Sequence, residues 1–172
     1  MKKTCYALAA SALLLGACAT TAEVEGPWAV ADLVATSGSE LAGTVTFAQI
    51  GKDRVRVTGN ITGHSPGEKG FHIHEKGECK PPDFMSAGGH FNPMKMKHAG
   101  TPRTGHAGDM GNLTFNAAGI ATINMVVDGV TLSKDAPTGI IGRAVVIHMQ
   151  PDDFVTDPTG NAGGRAACGV IR

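Results

Sequence analysis

The chain has no basic block. Its 172 residues carry 15 Lys and Arg against 15 Asp and Glu, a formal charge of zero, so nothing favours the phosphate backbone of a nucleic acid and that class of partner is set aside. Amphipathic helical periodicity is also missing, which excludes a helical bundle. No apolar run reaches the roughly 20 residues that a spanning helix needs. Aromatic residues are scarce, with one Trp, one Tyr and six Phe, while Gly (24) and Pro (9) are plentiful. Cysteine is sparse too: of four, two sit at the N-terminus and only Cys79 and Cys168 remain in the body of the chain.

What is present begins with a leader. Lys2 and Lys3 precede a short apolar run over residues 6–17 that ends in small residues, the pattern of an export signal. Leu15-Gly16-Ala17-Cys18 resembles a bacterial lipobox, whereas Ala17-Cys18-Ala19 also satisfies ordinary small-x-small cleavage. The first reading is favoured. It makes residues 1–17 the signal peptide, Cys18 the lipidated first residue, residues 18–27 a tether and residues 28–172 the folded domain, in a periplasmic lipoprotein held at a membrane. A soluble periplasmic protein is the other reading. Either way about 150 residues remain, enough for one core. Export to an oxidising compartment favours a disulfide between Cys79 and Cys168 over two free buried thiols.

The body reads as short β-type runs broken by turns. Candidate strands cover residues 28–36, 41–50, 54–62, 70–75, 113–115, 120–127, 140–148 and 165–171, with a hairpin turn at Gly51-Lys52-Asp53. Alternation in Val45-Thr46-Phe47-Ala48 and Val55-Arg56-Val57-Thr58 fits half-buried antiparallel strands. About eight strands at this spacing predict an all-β sandwich or small barrel. Two connections, 76–112 and 150–164, are long enough to be functional.

Metal ligands are the most informative feature. His72 and His74 stand two apart in Gly70-Phe71-His72-Ile73-His74-Glu75, so an extended chain projects both from one face. His148 ends an apolar strand. These three make an imidazole site suited to copper. His98, His106 and Asp109 make a mixed site suited to zinc. If each site wants four ligands, one imidazole must serve both, and His90 lies between the groups in sequence. His64 has no partner in this set and reads as an exposed loop residue, and Met94, Met96 and Met110 read as loop packing rather than a copper-loading patch.

Four blocks carry a resemblance: the one around His72 and His74, Ser86-Ala87-Gly88-Gly89-His90-Phe91-Asn92-Pro93, His106-Ala107-Gly108-Asp109, and Gly163-Gly164-Arg165-Ala166-Ala167-Cys168-Gly169-Val170-Ile171. In this order they resemble the signature blocks of copper/zinc superoxide dismutase, bacterial and exported. The resemblance implies an eight-stranded Greek-key β-barrel. It implies copper on His72, His74, His90 and His148, and zinc on His90, His98, His106 and Asp109. Arg165 would receive the superoxide anion, Asp152 would link a copper-side to a zinc-side histidine, and Cys79–Cys168 would clamp the metal loop. The reaction implied is dismutation of superoxide to dioxygen and hydrogen peroxide, with His90 also carrying a proton. Loop 150–164 has no Lys or Arg before Arg165, so steering of the anion would fall to Lys76, Lys80, Lys95, Lys97 or Arg103. Monomer and homodimer are both compatible with the sequence.

Overall fold

A computed structural model describes residues 26–172. The leader, Cys18 and most of the tether lie outside the described residues. Nine strands run β1 (Trp28–Asp32), β2 (Val34–Ala35), β3 (Ala42–Gly51), β4 (Arg54–Thr62), β5 (Gly67–His74), β6 (Asp109–Phe115), β7 (Ile120–Asp128), β8 (Ala144–His148) and β9 (Arg165–Val170). β1 and β2 are the expected first strand broken at Leu33, because the chain there leaves one sheet for the other. β1 pairs with β3, and β2 pairs with β9. With this one strand split between two sheets, the eight-stranded all-β expectation holds.

All ladders are antiparallel. One sheet has the order β1-β3-β4-β7 and the other β2-β9-β8-β5-β6. The non-consecutive neighbours β4–β7 and β5–β8 arise from Greek-key crossings between sheets. Arg172 exchanges both backbone hydrogen bonds with Val30, each 2.9 Å, and ties the end of the chain to β1 across the gap between the sheets. Inside, alternate residues meet: Val45 and Phe47 of β3, Val55, Val57 and Ile61 of β4, Phe71 and Ile73 of β5, and Ile147 of β8 are all buried. Burial of each such side chain contributes about 1.5–3 kcal/mol.

Three strand starts differ from the sequence reading by several residues. β5 begins at Gly67 and β6 at Asp109, because pairing of Gly67–Gly70 with Asn112–Phe115 overrides the weak strand preference of Gly, Glu and Lys. Ile140 is fully buried but lies in a turn, its N–H bonded to Thr131 O. Gly142 at φ +80° interrupts the extended chain, so β8 starts only at Ala144.

The second sheet's outer face would normally meet water, yet β5 is buried on both faces from Lys69 to His74. Connections 75–108 and 149–164 cover it. The first is pinned by the disulfide Cys79–Cys168, 89 residues apart, and by a small apolar cluster of Phe84, Ala87, Ala144, Val146 and Cys168. That cover turns one face of a β-sheet into a closed polar site.

Candidate metal centre

Strand alternation delivers the first ligands. Phe71 and Ile73 point into the core, so His72 and His74 must point into the covered layer. Residues 89–91 then lie along β5 as a short added strand: Phe91 N–H bonds to Ile73 O at 2.8 Å and Glu75 N–H to Gly89 O at 3.0 Å, and His90 stands opposite His74. Arg143 braces this segment, its guanidinium 3.5 Å over the Phe91 ring and its Nη1 donating to Glu75 O at 2.8 Å. Gly108 permits the approach, since a Cβ there would come within 2.1 Å of Ile73 O. From the neighbouring strand comes His148. The ladder shifts between Ile147 and His148, so that Ile147 faces Ala167 while His148 faces Arg165. The extra residue, Ala166, is a bulge that turns Arg165 onto the ligand side.

Two groups of ligand atoms result. His72, His74, His90 and His148 form one, and His90, His98, His106 and Asp109 the other; within each, one ligand atom per residue lies within 4.8 Å of all the rest. His90 belongs to both. Its ring centroid is 4.0 Å from that of His72 and 5.1 Å from that of His74, but also 5.3 Å from His98 and 5.6 Å from His106.

The outer edges of the rings decide which nitrogens face inward. His72 Nε2 and His98 Nε2 contact the two oxygens of Asp152 at 2.7 and 2.8 Å. His74 Nδ1 is 2.9 Å from Gly88 O, and His148 Nδ1 is 3.2 Å from Gly163 O. An acceptor on one ring nitrogen fixes the proton there and leaves the other nitrogen's lone pair facing inward. His90 differs: its Nδ1 meets only Asp109 Oδ1, at 3.0 Å, and its Nε2 meets nothing. No outside acceptor holds this ring, so both of its nitrogens serve the interior.

The buried nitrogens left without hydrogen bonds include His72 Nδ1, His90 Nε2, His98 Nδ1 and His106 Nδ1. His98 Nδ1 lies 3.1 Å and His106 Nδ1 3.4 Å from Asp109 oxygens, close but off any hydrogen-bonding direction. Several unsatisfied nitrogens in one enclosed space would each cost about 1–3 kcal/mol. Metal ions in both groups would satisfy them together, and the donor chemistry fits: four imidazoles for copper, three imidazoles and a carboxylate for zinc.

Protonation supports the same fit. Burial, with the neighbouring rings of His90 and His148, drives the His72 and His74 imidazoles well below the ordinary histidine value. Burial takes His148 down to about 4 and lowers His106. For Asp109, burial opposes ionisation, but contacts from His90 and the Ala99 and His106 N–H groups hold its carboxyl below the usual range. Neutral imidazoles beside an ionised carboxylate are ready ligands at neutral pH.

On the side of the first group a cavity of about 520 Å³ reaches His74, His90, His148 and Arg165. Arg165 is held by donating Nη1 to Phe84 O and Nη2 to Gly88 O. None of His98, His106 and Asp109 lines this cavity.

The family model for copper/zinc superoxide dismutase (SODC) matches residues 41–171. The chain belongs to the copper/zinc superoxide dismutase family. It is 42% identical over 177 aligned residues to "Superoxide dismutase [Cu-Zn] 2" of Aquifex aeolicus (strain VF5), covering all of both chains. A crystal structure of "the clock protein EA4" is similar at a TM-score of 0.75 and 43% identity, covering 86% of this chain and 94% of that one. The protein is thus a superoxide dismutase, an oxidoreductase whose metals are copper and zinc.

As a superoxide dismutase the chain holds residues that sequence reading missed. Asp157 Oδ1 accepts the His98 N–H at 2.7 Å, and Asn112 exchanges hydrogen bonds with the Asp152 backbone at 2.8 and 3.0 Å. Gly160, at φ +61°, lies so close that a Cβ would fall 2.1 Å from Asp152 Oδ1. The carbonyls of Gly88 and Gly163 carry no side-chain signal at all. His64 is half-buried rather than exposed, its ring 5.0 Å from Phe115. Of the methionines read as loop packing, Met110 packs instead in the core from β6, while Met94 and Met96 are exposed. None of Lys76, Lys80, Lys95, Lys97 and Arg103 lines the cavity; Lys80 pairs with Glu78 at 2.8 Å and Arg103 lies 3.8 Å from Asp128.

Proposed function

We propose that copper is held by His72, His74, His90 and His148 and zinc by His90, His98, His106 and Asp109, with His90 as a shared bridge in the dismutation of superoxide outside the cytoplasm. The observation that carries this reading is the position of His90, the one ring common to both ligand groups and without an outside acceptor. Bound there, copper would supply the one-electron exchange and zinc a fixed positive charge beside His90.

The chain's own groups do the rest. Arg165 offers a guanidinium fixed by two carbonyls at the wall of the cavity, a forked donor matched to a small anion. Two superoxide anions and two protons become one dioxygen and one hydrogen peroxide, so protons must reach the product. His90 Nε2 is suited to carry one, because His90 lines the cavity, its Nδ1 is turned to Asp109 and its Nε2 has no competing acceptor. Asp152 holds His72 and His98 in register, coupling the two halves through one carboxylate.

The test is superoxide consumption by purified protein loaded with one copper and one zinc. Rapid consumption that disappears on removal of copper supports the reading; a fully loaded protein that does not consume superoxide overturns it. The leader supports export, with Cys18 as an acylated anchor. Mass spectrometry of the mature N-terminus should find an acylated Cys18; a mature chain lacking acyl groups would leave it a soluble periplasmic enzyme.

A further inference from the structure

Methionine is an apolar residue and is usually buried. Met110 behaves so, yet Met85 and Met149 keep 63% and 41% of their surface exposed. They come from different connections: Met85 from the short 3-10 turn Met85–Ala87 in the first, Met149 from the residue following His148 at the start of the second. Both line the same cavity as His74, His90 and His148.

Their backbones are fixed. Met85 N–H donates to Asp83 Oδ1 at 3.0 Å and its carbonyl accepts the Gly88 N–H at 3.0 Å. Met149 N–H donates to Gly164 O at 2.8 Å, while its carbonyl accepts from the buried Lys69 Nζ at 3.1 Å. Two thioethers are therefore displayed by rigid supports on one opening. Behind them lies His90 Nε2, buried and unpartnered.

Thioether sulfur is a soft ligand well matched to cuprous copper. The cavity meets only the imidazole half of the centre, because none of His98, His106 and Asp109 reaches it. We propose that Met85 and Met149 form an entry port for the cuprous ion, receiving it at the cavity mouth and passing it inward to His74 and His148. The exposed Met94 and Met96 do not line the cavity and have no part in this port. The inference rests on the copper assignment above and adds a residue-level route by which that half is filled selectively.

The experiment compares zinc-loaded, copper-free protein with the double variant Met85→Leu/Met149→Leu, which keeps apolar volume and removes both sulfurs. Cuprous ion is supplied without oxygen as its bicinchoninate complex, and transfer is followed by loss of that complex's colour. The expected result is transfer slowed by about tenfold or more, the scale on which groups outside the ligand set alter metal binding. Final occupancy and the copper spin spectrum after oxidation should not change. X-ray absorption of wild-type protein early in loading should show sulfur neighbours that the variant lacks. Equal transfer rates, or equal slowing with aqueous cupric ion, would overturn the port. Failure of both proteins to take up copper would instead overturn the copper site itself, and the port with it.

Discussion

The two ligand groups of the centre, for which copper and zinc respectively are proposed above, are held by different means. His72, His74 and His148 ride on β5 and β8, which pair with each other and are backed by the apolar core. His98 and His106 hang from connection 75–108, whose regular structure is one short 3-10 turn and the bridge of His90 to β5. Carboxylates do the work of a sheet there: Asp109 takes the Ala99 and His106 N–H groups at 3.1 and 2.8 Å, and Asp157 takes that of His98. The strand half opens on the cavity, and the loop half is sealed. A β-sheet thus preorganises the group that meets the cavity, to which the redox role is proposed, while the enclosed group is held by loops and carboxylates.

The largest effect should separate the halves outright. We expect His74→Ala to abolish superoxide consumption with a small change in thermal stability, and His106→Ala to retain copper and part of the activity while the Tm falls by about 10 °C or more. Activity assays beside calorimetry check this, and the reverse order of effects would break the comparison. Asp152→Asn removes what the halves share. It should weaken both metals by about 10- to 100-fold in chelator competition, whereas a loss confined to one metal would show that the halves are oriented separately.

Much of the strand half was legible in sequence, because a period of two makes His72 and His74 neighbours on one face whatever the fold. The loop half was legible as a trio of zinc-type ligands, His98, His106 and Asp109, and the resemblance to known signature blocks reinforced that grouping, but loop spacing alone does not determine its geometry. The anchors of the strand half were not legible. Gly88 and Gly163 act through carbonyls that every residue possesses, and the bulge that turns Arg165 leaves no mark in Arg165-Ala166-Ala167. Ile140 misled for a related reason, as a buried apolar residue reads alike in a strand and in a tight turn. The choice of Met94, Met96 and Met110 followed nearness in sequence, whereas the methionines that share the cavity are 64 positions apart, Met85 and Met149.

The disulfide sharpens the contrast, because it pins the loop to β9. Cys79→Ser with Cys168→Ser should lower stability by up to about 4 kcal/mol in the chain-entropy picture of an 89-residue separation, and more in zinc-free than in zinc-loaded protein. Denaturant unfolding of both forms measures it, and an equal loss in the two forms would mean that zinc and disulfide secure different parts.

Acid should act on the metal-free strand half. The folded pKa of His148 lies at about 4 against an ordinary 6.5, and those of His72 and His74 are also depressed. The unfolded chain therefore binds more protons than the folded one below pH 6.5. Stability is fully present above that value and falls as the pH drops toward 4. Unfolding of metal-free protein across this range, with His148→Gln showing a shallower slope, checks the sign. The smallest effect concerns salt. Activity should fall modestly with ionic strength, and the slope should shrink in Arg165→Leu, because Arg165 is the cation among the described residues that lines the cavity, opposed there by Asp83. A flat wild-type profile would end any role for steering.

The shared ring of His90 is best tested by loading copper into both ligand groups and measuring the spin coupling of the two cupric ions. One imidazole joining them should couple their spins and suppress the low-temperature resonance, and His90→Ala should restore two independent signals. Two uncoupled copper signals in the wild-type protein would contradict the bridge.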